Sequence, residues 1–62
     1  EELDPHKLSI LSMAQLEAGR LDDAVATAEE AARLAAAGGD DKLAAEIRRW
    51  AKEQREKAAK IK

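Results

Sequence analysis

The sequence has no cysteine, no phenylalanine and no tyrosine. Without cysteine, neither a disulfide nor a thiolate metal site is available. The single histidine, His6, cannot assemble a zinc site alone, and no cofactor motif is present. Trp50 is the sole aromatic residue, which leaves no platform on which nucleic-acid bases could stack. No apolar run approaches the roughly 20 residues of a membrane span, and no stretch reads as a secretory signal. The net charge is only −2, so no global field gathers a polyanion or a membrane surface. Neither nucleic acid nor membrane is therefore an expected partner. Glu1 rather than Met opens the chain, which fits a trimmed or excised segment of a soluble recombinant protein.

What is present is helix-forming. Sixty-two residues allow one domain, residues 1–62, with a net stability of only about 3–9 kcal/mol at roughly 0.05–0.15 kcal/mol per residue. Asp4-Pro5 suits a helix start: the carboxylate can accept an orphan N–H, and proline at the first helical position loses no hydrogen bond. Gly19 suits a left-handed helix end. Asp22 is placed to cap a second helix, Gly38-Gly39 to break it, and Asp40 or Asp41 to cap a third. The spacing predicts helices over 5–18, 22–37 and 40–60. Val25 and Thr27 are isolated β-branched residues in alanine-rich sequence, so there is no strand signal. Connections of a few residues make neighbouring helices antiparallel. The expected fold is all-α, an antiparallel three-helix bundle: a helical hairpin plus a longer third helix.

Charge is unevenly divided. Residues 1–39 carry eight acids and three bases, and residues 40–62 five acids and eight bases. Bases gathered toward the end of a last helix complement its dipole. Helix three also presents Arg49/Glu53, Glu53/Lys57 and Glu56/Lys60 as pairs four apart, each worth a few tenths of a kcal/mol. Helix two shows a face of Leu21, Ala24, Val25, Ala28, Ala31, Ala32 and Ala35, small enough for a neighbour to approach closely. Helix three has a stripe of Leu43, Ile47, Trp50, Gln54 and Ile61, with Ala44, Ala51 and Ala58 beside it. Trp50 is expected mainly in the core, with its ring able to reach an interface edge.

Helix one is different. Residues 9–16, SILSMAQL, run without a charge in a chain whose residues are 39% charged. At about 100° per residue, its apolar side chains surround the helix instead of forming one stripe. Two neighbouring helices can cover only part of such a circumference. The most continuous inward stripe is Leu8, Leu11, Ala14 and Ala18, with Gln15 between them. The opposite arc holds His6, Ser9, Ser12, Met13, Leu16 and Arg20. This mixture of adaptable apolar and small polar groups with charged edges suits a docking face. On helix three, Ala44, Arg48, Ala51 and Arg55 flank the core stripe and are the candidates to share that face.

Catalysis is not expected. His6 and Ser9 lie three apart, but a solvent-facing helix supplies neither an oriented base nor an oxyanion hole. Asp22-Asp23 and Asp40-Asp41 could be weak cation ligands, yet helix capping explains both pairs. Gly38-Gly39 is followed by no Lys-Ser/Thr and reads as a turn, not a phosphate loop.

The stretch from Leu8 to Ala36 resembles a tetratricopeptide repeat. The likeness is carried by Leu8, Leu11, Ala14, Gly19, Leu21, Ala24, Val25, Ala31 and Leu34, including the segment AGRLDDAVATAEEAARLA. The resemblance covers about half the chain, with Ala36 where the family usually closes on proline. It implies a groove lined by His6, Ser9, Met13, Leu16 and Glu17. In its alanine-, glutamate- and lysine-rich helices, caps and tight glycine turns, the whole chain is also similar to de novo designed three-helix miniproteins. That likeness implies a protein, monomeric when free, that binds another protein mainly through helix one. The expected contact residues are His6, Ser9, Ser12, Met13, Leu16 and Arg20, with Arg48 and Arg55 from helix three. The alternatives are a repeat fragment gripping an extended peptide, an idealised scaffold without a partner, and closure of a homodimer.

Overall fold

Asp4 opens the first helix, its carboxylate accepting the His6 backbone N–H at 2.8 Å while Pro5 takes the first helical position. The computed structural model describes residues 4–61, apart from the side chain of residue 61. Three helices follow: α1 (Pro5–Glu17), α2 (Leu21–Ala37) and α3 (Asp41–Ile61). The fold is all-α, with antiparallel neighbours and the third helix the longest at 21 residues. The part of the expected helix-three stripe at Ile61 lies outside the described side chains.

Both turns use one device. After α1, the Gly19 N–H donates to the Leu16 carbonyl at 3.0 Å and the Arg20 N–H to the Gln15 carbonyl at 2.9 Å. After α2, the Gly39 N–H donates to the Ala36 carbonyl at 3.0 Å and the Asp40 N–H to the Ala35 carbonyl at 2.8 Å. These are Schellman closures, which need a left-handed residue. Gly19 and Gly39 supply it, at φ 83° and 90°. Gly39→Ala is expected to lower stability by about 1–2 kcal/mol, measured by thermal or urea unfolding. The space around its Cα is open, so the cost is backbone strain and not a clash; an unchanged midpoint would contradict it.

Asp40 then caps α3, accepting the Leu43 N–H at 3.1 Å. The cap expected at Asp22 is not formed. α2 begins one residue earlier, at Leu21, and its N-cap, Arg20, makes no side-chain capping bond. Asp22 and Asp23 lie inside the first turn, where their charge still favours the helix dipole. Asp23 also holds the Arg20 guanidinium at 2.9 Å.

α2 is the middle element. It packs against α1 and α3, which scarcely touch one another, and the chain is flat, 37 × 22 × 12 Å. The expected alanine face of α2 is sealed: Ala24, Val25, Ala28, Ala31, Ala32 and Ala35 are all buried. Ala44, Ile47 and Ala51 of α3 complete the core, with Leu8, Leu21, Leu43 and Trp50 packed against its edge. Alanine on both sides of the α2–α3 seam lets the backbones come close, because no long side chain holds them apart.

The exposed charge pairs differ from those expected. Among the described residues, none of the three helix-three pairs four apart forms an ion pair. The ion pairs are Arg20–Asp23, Arg33–Glu30 and, between helices, Arg55–Glu29 at 3.4 Å. All involve solvent-exposed groups and contribute little to stability.

Candidate protein-docking surface

The rotation of α1 decides which of its side chains remain available. Ser12 faces the interior with 1% of its surface exposed. Its hydroxyl donates to the Ser9 carbonyl at 2.8 Å, so burial leaves it no unmet hydrogen bond. Leu8, Ser9, Gln15 and Leu16 around it are half-buried. Leu11, Ala14 and Ala18, expected to point inward, are exposed. The inward stripe is therefore Leu8, Ser12, Gln15 and Leu16, about a quarter turn from the expected one. The reason is the shape of α2: an alanine surface admits a close neighbour, and close approach favours a small residue at the centre of the seam. Ser12 fits there without a larger side chain prising the helices apart. The arrangement has a cost, since the buried Gln15 Oε1 finds no partner.

Ser12 is thus removed from the candidate contact residues. Leu16 is half-buried and contributes an edge at most. His6 is exposed, Arg20 is exposed and paired to Asp23, and Met13 is 49% exposed. Beside Met13, Ile10 at 66% and Leu11 at 47% are also open. These large apolar side chains all belong to the uncharged run. The sequence pattern does not single out Ile10 and Leu11, because Leu11 continues the expected inward stripe and Ile10 falls between the two faces. The available signal was the pairing of Ser9 with Ser12, small residues suited to a seam against alanine.

Ser9 and Met13 face α3 across a groove of about 180 Å³, whose other walls are Leu43, Glu46, Ile47 and Trp50. Two of the positions implied for a groove by the repeat resemblance, Ser9 and Met13, line this one. Its apolar walls come from both helices, and Glu46 is its only charged lining residue. Trp50 is half-buried, touching the core while bordering the groove.

The helix-three candidates lie elsewhere. Ala44 and Ala51 are buried against α2. Arg48 and Arg55 border a separate, larger depression of about 540 Å³ between α2 and α3, with Glu29, Glu30, Arg33 and Lys52. They therefore do not share the α1 surface. The α3 edge that meets α1 carries Leu43, Glu46 and Trp50 instead. Flanking a core stripe on one side or the other is equivalent on a helical wheel; the packing of α3 on α2 makes the choice.

Among the described residues no group of three or more His, Cys, Asp or Glu side chains is arranged to hold a metal ion. No described helix is long and apolar enough to cross a membrane. Compared with protein-family models, curated proteins and solved structures, the chain gives no match.

Proposed function

We propose that this chain is a small helical binding module that docks on another folded protein through α1, with the α1–α3 groove receiving one side chain of that partner. The observation that carries this reading is that Ile10, Leu11 and Met13, three large apolar side chains within four residues of α1, are all open to solvent in the uncharged run. Single exposed apolar residues are ordinary, but three large ones within one turn of a helix whose neighbours are otherwise charged are the concentration an interaction surface uses. Trp50 and Met13 beside one another supply an aromatic and a deformable side chain, both favoured at binding sites. The groove's volume, about 180 Å³, is below the roughly 300–1,000 Å³ of ligand pockets. It suits one anchoring side chain better than a length of extended peptide. The caps, paired glycine turns and alanine seams are consistent with the likeness to designed miniprotein binders.

Covering Ile10 and Met13 against a partner contributes roughly 1.5–3 kcal/mol each. Met13→Glu is therefore expected to weaken partner capture by about tenfold or more, at 1.4 kcal/mol per tenfold. Melting should change by no more than about 0.5 kcal/mol, as for most surface substitutions. Ala45→Glu, an equal change of charge at an exposed α3 position, serves as the control. Immobilised wild type and Ala45→Glu should retain the same protein and Met13→Glu should lose it. Equal retention by all three, or none by any, would leave an inert scaffold as the better description.

A further inference from the structure

With Leu8, the uncharged run of α1 spans residues 8–16 and is closed by charges of opposite sign, Lys7 before it and Glu17 after it. Each stands five residues from Ser12, so the run has a midpoint and its ends are electrostatic complements. Lys7, Ile10, Ala14 and Glu17 recur at spacings of three, four and three. This spacing keeps side chains on one helical face, as in a coiled-coil seam. All four are exposed, and the face they form points away from α2, where Ser12 is sealed. Leu11 flanks this seam on one side and Met13 on the other.

We infer that this face pairs with the same face of a second copy of the chain, the two α1 helices running antiparallel about a twofold axis at Ser12. In that arrangement Lys7 of one copy meets Glu17 of the other, twice. Ile10 of one copy lies over Ala14 of the other, twice, so each large side chain sits over a small one. Leu11 meets its own copy on one flank of the axis and Met13 meets its own copy on the other. The exposed large apolar side chains of α1 are thus all covered by one symmetric contact, as an isologous interface requires. A parallel pair sets Lys7 against Lys7 and Glu17 against Glu17, and is disfavoured by charge.

The inference rests on α1 being a docking face and adds a regulation of it. Pairing covers Ile10 and Met13, so a second copy and a docked partner exclude one another. The contact is a single pair of short helices, smaller than the roughly 1,200–2,000 Å² of stable interfaces. Association therefore belongs to the upper end of concentration, and dilution frees the face.

Sedimentation equilibrium at low salt, from micromolar to millimolar protein, tests this. Wild type should rise with concentration toward twice the monomer mass of 6.7 kDa. Lys7→Glu and Glu17→Lys should each weaken self-association about tenfold, because both end contacts become like-charged. The double variant Lys7→Glu/Glu17→Lys should recover it. An equimolar mixture of the two single variants should associate more tightly than either alone. Ala14→Glu, at an exposed position, should abolish association with helicity unchanged by circular dichroism. A monomer at every concentration would overturn the inference, as would single charge variants that associate like wild type. Partner capture sensitive to Met13→Glu, in a chain that stays monomeric, would sink the self-pairing while leaving the docking reading intact.

Discussion

Ile47→Ala is expected to destabilise the protein by about 2–5 kcal/mol. Ile47 is 5% exposed and belongs to the central cluster, whose other buried members are alanines and one valine. It is the longest apolar side chain in that cluster, so little else fills the space between α2 and α3. The surrounding alanines have no rotamers with which to collapse into the vacancy. Ile47 also lines the α1–α3 groove, so truncation opens the core toward solvent. A chain of this size has only about 3–9 kcal/mol in hand, and the variant should be partly unfolded at room temperature. Urea unfolding followed by circular dichroism measures the loss. A shift below about 1 kcal/mol would show that Ile47 is not the central filler.

Ser12→Leu is expected to cost about 1–3 kcal/mol through overpacking. Ser12 is sealed between α1 and α2 with its hydroxyl satisfied inside its own helix. Leucine is the better helix former, so propensity favours the substitution and only the lack of room opposes it. The companion change, Leu11→Ser, removes an apolar side chain that is 47% exposed. It should shift stability by no more than about 1 kcal/mol, chiefly through helix propensity. The contrast is the reverse of what residue type suggests, since the leucine is dispensable and the serine is not. Thermal melts of the two variants side by side are sufficient. If Leu11→Ser proves costly and Ser12→Leu harmless, α1 is turned the other way and Met13 loses its place on the proposed docking surface.

Much of the fold is legible in the sequence. Asp4-Pro5, Gly19, Gly39 and Asp40 mark helix ends because each acts on backbone groups only two to five residues away. The alanine face of α2 was legible for a related reason: one stripe of small residues on an otherwise charged helix has a single way to face a core. The N-cap expected at Asp22 falls two residues earlier, at Arg20. Leu21 opens the helix instead, so the two aspartates serve its first turn.

The rotation of α1, and with it the proposed docking surface, is less legible. Of the arc expected outward, His6 and Met13 are exposed, Ser9 is half-buried and Ser12 is buried, while Leu11, Ala14 and Ala18, expected inside, are exposed. A helix with apolar groups all around its circumference has no internal preference for one rotation. The rotation follows from the neighbour's surface, and an alanine ridge selects a serine that hydropathy alone would send to solvent.

The same division holds for the whole molecule. Helix number, extent, turns and the inner face of α2 follow from interactions within a few residues or from a one-sided pattern, and the chain carries that information locally. The turn of α1, the edge of α3 that borders it and the exclusion of Arg48 and Arg55 from the α1 surface follow from how closely each neighbour approaches the alanine face of α2. That distance belongs to no single segment, because steric fit is a property of two surfaces at once.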